Sequence, residues 1–277
     1  MGTRTALVTG VSSGIGNAIA RTLAEQGWRV FGTARSKSTI LPERVERVVL
    51  YVRDVPSIDA GVREVLERAG RIDLLVNNAG GSLIGAIEET SLEQARDLFD
   101  VNFFGAARLT QAVLPAMREQ KSGRVVFISS VFGFLPAPFM GFYAASKHAL
   151  EGLAESLDHE TRTLGIRIAL VEPAGTRTQI DSNGAAAARR LADYGGPRDR
   201  AIEQVRASVS TGDDPSVVAQ TVLKAATAKK PRLRYPAGKR AGLLGRLRRY
   251  LPAGLFDSAF RRQFRLDLAG GTNAPVA

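Results

Sequence analysis

Residues 5–16 read TALVTGVSSGIG. A short apolar run, Thr5 to Val8, breaks into a segment that holds Gly10, Gly14 and Gly16. It resumes as an amphipathic stretch, NAIARTLAEQG, which Gly27 stops as a helix C-cap. A second apolar run, WRVFGTA, follows directly. Strand, glycine loop, helix and strand within about 30 residues is the unit that receives a dinucleotide. Glycines let the backbone turn tightly and approach a pyrophosphate. The helix N-terminus supplies free N–H groups and the positive end of the helix dipole.

The alternation continues outward from this unit. RVVLYV (47–52) predicts a strand, 56–69 a helix, and IDLLVNNAG (72–80) a strand running into a turn. Residues 91–119 predict one long helix, GRVVFISS the next strand, and IRIALVEP a later one. Strands apolar throughout are buried on both faces. Repeated strand–helix units imply a parallel sheet with right-handed crossovers and helices on both sides. Past Pro173 the pattern loosens. An Ala-rich helix, a Gly-Gly-Pro break and a second helix are expected over 176–212, a candidate lid. DDPSVVAQTVLKAATAKK predicts a capped helix and RLRYPAG a last strand. No repeat or linker divides the chain, so 1–277 is expected to be one domain.

A second stretch carries chemistry. Ser130 ends the run RVVFIS, and Tyr143 and Lys147 stand four residues apart in a helical segment with Leu150, Leu153 and Leu157 on one face. Side chains at i and i+4 are neighbours, about 5–6 Å apart at Cβ. A free phenol titrates near pH 10. An adjacent ammonium favours the phenolate and brings it toward the working range of a general acid or base. The Ser130 hydroxyl can donate to an oxyanion or hold a carbonyl against the Tyr143 hydroxyl. Taken alone, Y-x-x-x-K is an ordinary helix face; the glycine loop upstream changes its weight.

Together, T-G-x-x-x-G-I-G, N-N-A-G and Y-x-x-x-K in this order resemble the single-domain branch of the short-chain dehydrogenase/reductase family, over about Thr5 to Thr178. The resemblance implies an α/β fold with a Rossmann-type doubly wound parallel sheet and helices on both faces. It also implies a nicotinamide cofactor and hydride transfer to or from a carbonyl carbon. In that reading Ser130 orients the carbonyl and Tyr143 is the acid/base. Lys147 lowers the tyrosine pKa and holds the nicotinamide ribose, and Asn102 anchors a water that relays protons to the lysine. Gly10, Ser12, Ser13, Gly14, Ile15 and Gly16 match the phosphate loop. Asn78, Ala79 and Gly80 match the segment beside the adenosine, and Asp54 and Val55 the pair that receives the adenine. By itself Asp54 would be a loop or cap residue. Pro173, Gly175, Thr176 and Thr178 match the carboxamide side, with one departure: the family's Pro-Gly is Pro173-Ala174 here.

Cofactor choice follows from charge. An acid at the end of the second strand binds a ribose 2′-hydroxyl and repels a 2′-phosphate. Here that position is Ala34, followed by Arg35, whose guanidinium can fork onto a phosphate. NADP(H) is therefore expected over NAD(H). Five of the twelve phenylalanines fall between Phe127 and Phe142. Of these, Phe132, Phe134 and Phe139 lie in the loop between the serine and the tyrosine. With Phe132 and Phe139 as substrate contacts beside Ser130 and Tyr143, an apolar wall suits a lipophilic carbonyl or alcohol; loop packing against the lid is the plainer use of the same rings.

Composition limits the alternatives. The chain has no cysteine and two histidines, His148 and His159, so neither disulfides nor a thiol or His-rich metal site is expected. No signal peptide is read, and no apolar run reaches the roughly 20 residues of a membrane span. A cytoplasmic protein is expected, and the resemblance implies a homodimer or homotetramer. The net charge of +11 is unevenly placed: residues 229–265 hold twelve Lys and Arg against one acid, Asp257, which accounts for all of it. That basic C-terminal helical extension, 238–277, has three readings. Leu243, Leu244, Leu247 and Leu251 can share one helical face, and Phe256, Phe260 and Phe264 recur at i+4. Packing on the body or a neighbouring subunit is the preferred reading. Peripheral contact with an anionic membrane comes next. Nucleic acid is not expected as a partner, since no binding motif accompanies the charge. Two other readings of the whole chain are a non-catalytic NADP(H)-binding sensor on the same fold and a membrane-surface enzyme of the family.

Overall fold

The computed structural model describes residues 3–178 and 185–266. The glycine-loop unit forms as the sequence predicts: β1 (Thr5–Val8), α1 (Gly14–Glu25), β2 (Arg29–Ala34). Three further strands and two helices follow: β3 (Val45–Val49), α2 (Val55–Ala69), β4 (Leu74–Asn77), the two-residue β5 (Leu83–Ile84) and α3 (Leu92–Phe99). Then come α4 (Ala106–Glu119), β6 (Gly123–Ile128), α5 (Gly141–Thr161), β7 (Ile166–Pro173) and the two-residue β8 (Ala185–Ala186). The last elements are α6 (Gly195–Ser210), α7 (Pro215–Thr227), β9 (Arg234–Ala237), α8 (Lys239–Tyr250) and α9 (Ala253–Gln263).

Seven strands form one parallel sheet in the order β3-β2-β1-β4-β6-β7-β9. The alternation of residues along each strand feeds two cores. Ala6, Val8, Val30, Val76 and Val126 pack against α1 and α7. Leu7, Phe31, Leu75, Val125 and Phe127 pack against α2, α4 and α5. The sheet is thus doubly wound, with helices on both faces. The strand order reverses between β1 and β4, and ligands bind such sheets in the crevice beyond the strand C-termini at that switch point.

Three elements differ from the sequence expectation. The third strand ends at Val49 rather than residue 52, because the Tyr51 amide turns to the Ser57 hydroxyl (3.0 Å) as α2 begins. The long helix over 91–119 is interrupted: Asp100–Gly105 is a π-helical turn between α3 and α4. No Ala-rich helix forms among the described residues of 176–212. Ala185 and Ala187 donate instead to the carbonyls of Ser82 (3.1 Å) and Ile84 (2.8 Å), which makes β8 a parallel partner of β5. Alanine favours helix only weakly over other residues, and the unpaired edge of β5 outweighs that preference. Gly195-Gly196-Pro197 opens α6 rather than breaking a helix. The segment is pinned by buried Glu89, which accepts from the Leu191 amide at 2.7 Å and pairs with buried Arg198. Residues 179–184 of the expected lid and 267–277 of the extension lie outside the described residues.

Candidate active site

The phosphate end of the crevice is built by backbone and small side chains. The Thr9 hydroxyl accepts from the amides of Asn78 (2.9 Å) and Ala79 (2.8 Å). The Asn78 side chain donates to the carbonyls of Thr9 (2.8 Å) and Gly10 (3.2 Å), locking the turn after β4 to the loop after β1. Gly10 and Gly14 have φ of +69° and +55°, where a side chain is strained. A Cβ on Gly16 would strike the Gly10 carbonyl and the Asn78 amide, so only glycine lets α1 start this close to the loop. Ser12 and Ser13 are exposed there, and Ser13, the N-cap of α1, makes no side-chain capping bond. Ile15 packs on the core beneath. This cradle of open amides at a helix N-terminus fits a dinucleotide's pyrophosphate.

On the adenosine side, Ala34 is buried at the end of β2 and Arg35 is exposed, with no ion pair among the described residues. The Tyr51 hydroxyl donates to the Arg35 carbonyl. Asp54 caps α2, its carboxylate accepting from the Ser57 amide at 3.0 Å, and Val55 beside it is 51 % exposed. On the opposite side Pro173 ends β7 and the chain is clamped to the end of α6. Gly175 accepts from the Asp213 amide and Arg177 donates to the Asp213 carbonyl, both at 2.9 Å. A Cβ on Gly175 would collide with the Ser208 carbonyl. Thr176 is buried, and Thr178 lies against the position where a Cβ on Gly14 would stand. The Ala174 methyl packs with Val131, Leu135 and Phe256. A cavity of about 1190 Å³ opens between Ser13 and Gly14, Arg177 and Thr178, and Ile84 and Gly85. It covers the phosphate end; neither Ser130 nor Tyr143 lines it, both being buried, Tyr143 within an apolar cluster.

The four polar residues singled out in sequence lie on elements that pack together: α5 touches both the π-helical turn that holds Asn102 and the 3-10 turn that follows Ser130. Tyr143 and Lys147 sit one turn apart on α5, with the Lys147 Nζ 5.9 Å from the Tyr143 ring centroid. Lys147 is buried and donates to the Ile128 carbonyl at 2.9 Å. Burial pushes its pKa down to about 8, against the opposing pull of Glu151 one turn further along. The Ser130 hydroxyl, at the end of the β6 run, accepts from the Phe132 amide at 3.2 Å. Asn102 lies in the π-helical turn, a feature that often marks functional sites. Its amide accepts from the Gly81 N–H (2.8 Å) and donates to the Gly81 carbonyl (3.0 Å) and the Ser146 hydroxyl (3.1 Å). Ser146 in turn donates to the Tyr143 carbonyl at 2.7 Å. A Cβ on Gly80 would come within 3.1 Å of the Asn102 oxygen.

The loop phenylalanines divide among three neighbours. Phe132 meets the Tyr143 ring edge-on at 6.4 Å, Phe139 meets Tyr194 at 6.3 Å, and Phe134 joins the cluster under α8. Helix α9 closes the wall: Phe260 and Phe264 pack with Leu83, Met140 and Tyr143.

Sequence reading missed a buried acidic group behind the lysine. Glu151 and Glu172 both approach the Arg234 guanidinium, at 2.9 Å and 3.2 Å. Glu172 Oε1 makes no well-aligned hydrogen bond to Arg234, and burial, with Glu151 beside it, outweighs the Arg234 charge and pushes the Glu172 pKa up to about 8. Burial raises Glu151 as well. Two signals were present: Glu151 stands at i+4 from Lys147, and Glu172 is the lone acid in the apolar run IRIALVEP.

Residues 4–188 match the family model of the short chain dehydrogenases. The chain is 32% identical to a 3-ketodihydrosphingosine reductase of Bacteroides thetaiotaomicron, over 92% of this chain and 96% of that one. It is 31% identical to an NADPH-dependent 3-dehydrocapnine reductase of Ornithobacterium rhinotracheale, over 95% and 98%. A short-chain dehydrogenase from Streptomyces avermitilis superposes with a TM-score of 0.80 at 37% identity, covering 96% of each chain. A Burkholderia phymatum relative in complex with NAD superposes at 0.78 with 27% identity, over 89% and 93%. The chain belongs to the short-chain dehydrogenase/reductase family and is an oxidoreductase that acts on CH–OH groups and carbonyls with NAD(P)(H).

Proposed function

We propose that this enzyme transfers a hydride between NADP(H) and a lipophilic carbonyl or secondary alcohol, with Tyr143 as acid/base. The observation that carries the reading is the buried Lys147 ammonium beside the Tyr143 ring, 5.9 Å from its centroid. When bound, the nicotinamide supplies or accepts the hydride. Tyr143 gives its phenolic proton to the carbonyl oxygen, or takes it from the alcohol. Ser130 holds that oxygen in place. Lys147 favours the phenolate by its charge and holds the nicotinamide ribose. Asn102 positions the Gly81 segment and, through Ser146, the start of α5; a water relaying protons to Lys147 belongs to the same proposal. Phe132 and Phe139 contribute the apolar wall.

NADP(H) is favoured by Arg35, exposed where an acid would otherwise meet the 2′-hydroxyl. A lipophilic substrate is supported by the wall of phenylalanines and by the names of the two reductases above. A cytoplasmic setting and a homodimer or homotetramer complete the reading, the oligomer to be checked by light scattering. The decisive experiment is a panel of long-chain and short-chain ketones and alcohols, followed by nicotinamide absorbance with NADPH and NADH in parallel. Turnover of long-chain substrates with NADPH is expected. In Arg35→Ala with Ala34→Asp the preference should shift toward NADH by roughly 10–100-fold, the scale of a charge-assisted hydrogen bond. A wild type that prefers NADH would overturn the cofactor assignment.

A further inference from the structure

Helices α8 and α9 present two faces of opposite character. The inner face belongs to the site already described. Ala241, Leu244 and Phe256 pack on Val131 and Leu135 of the loop after Ser130, while Phe260 and Phe264 pack around Tyr143. The outer face is apolar and cationic together. Leu243, Tyr250, Leu251 and Leu255 are exposed at 51%, 75%, 37% and 61%. Leu243, Arg246 and Tyr250 follow one another at i, i+3 and i+7, which places them on one stripe of α8. Lys239, Arg240, Arg246 and Arg249 are exposed on the same helix, and none of them makes an ion pair among the described residues, whereas Arg248 lies over the inner Phe256 ring at 5.2 Å. Isolated exposed leucines need no account, but four large apolar groups within 13 residues, beside cations that make no ion pair among the described residues, do.

We infer that this outer face docks on an anionic lipid bilayer. Its charge selects among the possible occupants. A symmetric dimer through this surface would set the exposed Lys239, Arg240, Arg246 and Arg249 of one copy against the same cations of the other. Nucleic acid would satisfy the arginines and leave the leucines in water. An anionic bilayer meets both needs, taking the apolar stripe to the depth of the headgroups while the cations stay among lipid phosphates. No helix among the described residues is long and apolar enough to cross a membrane, so the contact is one of the surface. Because the other side of the same helix pair roofs Tyr143, docking places the substrate wall at the lipid surface. There a lipophilic ketone can pass from bilayer to site without crossing water. The docking surface does not depend on the cofactor or substrate assignment.

The test is sedimentation of the full chain with phosphatidylcholine vesicles, with and without phosphatidylglycerol, over a salt series. Binding that requires phosphatidylglycerol and weakens with salt is expected. A variant with Arg240→Gln, Arg246→Gln and Arg249→Gln should bind roughly 100-fold more weakly, at about fivefold per cation near an anionic surface. A second variant with Leu243→Ser, Tyr250→Ser and Leu255→Ser should also lose binding. Both should keep the wild-type melting temperature and the wild-type turnover of a short, water-soluble ketone. Absence of vesicle binding by the wild type would overturn the inference. So would vesicle binding unchanged in both variants, or self-association that the apolar variant abolishes without any vesicle binding. Binding to duplex DNA that the arginines support and the leucines do not affect, with vesicles ignored, would assign the face to nucleic acid instead.

Discussion

The Lys147 ammonium donates to the Ile128 carbonyl at 2.9 Å, tying the helix that carries Tyr143 to the strand that ends before Ser130. The bond fixes the lysine's direction, and its burial weakens its hold on the proton. The folded pKa of about 8 lies below the ordinary lysine value of 10.5. The cation is therefore the main form below pH 8 and is lost above it. If Lys147 works by its charge, kcat/KM should fall above an apparent pKa near 8 in the free enzyme. A pH profile level from 7 to about 10 would contradict this role.

Tyr143→Phe removes the transferable proton and keeps the ring that packs edge-on against Phe132. Folding and cofactor binding should be unchanged while turnover falls by at least about 10², the usual scale of general acid–base catalysis. Steady-state kinetics beside a cofactor titration would separate the two effects; near-normal turnover would remove Tyr143 from the mechanism.

Asn102→Ala breaks the bonds to Gly81 and Ser146 and leaves the Gly81 groups without their partner. An unsatisfied buried polar group costs about 1–3 kcal/mol. A lower urea midpoint and reduced kcat are expected together. A variant that loses stability alone, with kcat intact, would confine Asn102 to the scaffold.

The glycine loop was legible because sterics leave little choice at Gly10, Gly14 and Gly16, and the strands because they are apolar on both faces. What escaped depended on distant partners. Ala185 and Ala186 read as helix until β5, about a hundred residues earlier, offers them an edge. The π-helical turn at Asn102 leaves no mark in a periodicity that runs smoothly from 91 to 119. Glu172 looks like any strand acid until Arg234 and Glu151 are brought beside it by the register of β7 and β9 and by α5.

That buried acid has a signed consequence. An ordinary glutamate titrates near 4.3, and Glu172 holds its proton to about 8 in the folded chain. Between those values the unfolded chain releases the proton and the folded chain keeps it. Stability contributed by this group therefore falls as pH rises from about 4.3 to 8 and is level beyond. Glu172→Gln keeps the shape and removes the titration, so its urea midpoint should change less over that range and exceed the wild type's at pH 8. Parallel pH dependence in the two proteins would show Glu172 ionised throughout.

The phenylalanines of α9 offer the sharpest separation of scaffold from pocket. Phe256, Phe260 and the C-cap residue Phe264 recur at i+4, with Phe260 stacked on Phe256 at a centroid distance of 5.7 Å and tilted against Phe264 at 4.8 Å. Phe256 covers Val131 and Leu135; Phe264 joins Leu83 and Met140 around Tyr143. Phe→Ala in a core costs about 3–5 kcal/mol, and these sites near the surface can refill with water, so about 2–4 kcal/mol is expected at each. The two losses should not simply add, because both rings lean on Phe260. Function should separate what stability does not. Phe264→Ala opens the wall beside Tyr143 and should raise KM for long-chain substrates with little change in kcat, while Phe256→Ala should leave KM near the wild-type value. Urea midpoints and KM for a long-chain and a short-chain ketone, measured on both variants, check this. Equal KM values in the two variants would make α9 a brace for the loop after Ser130 and place the lipophilic wall elsewhere.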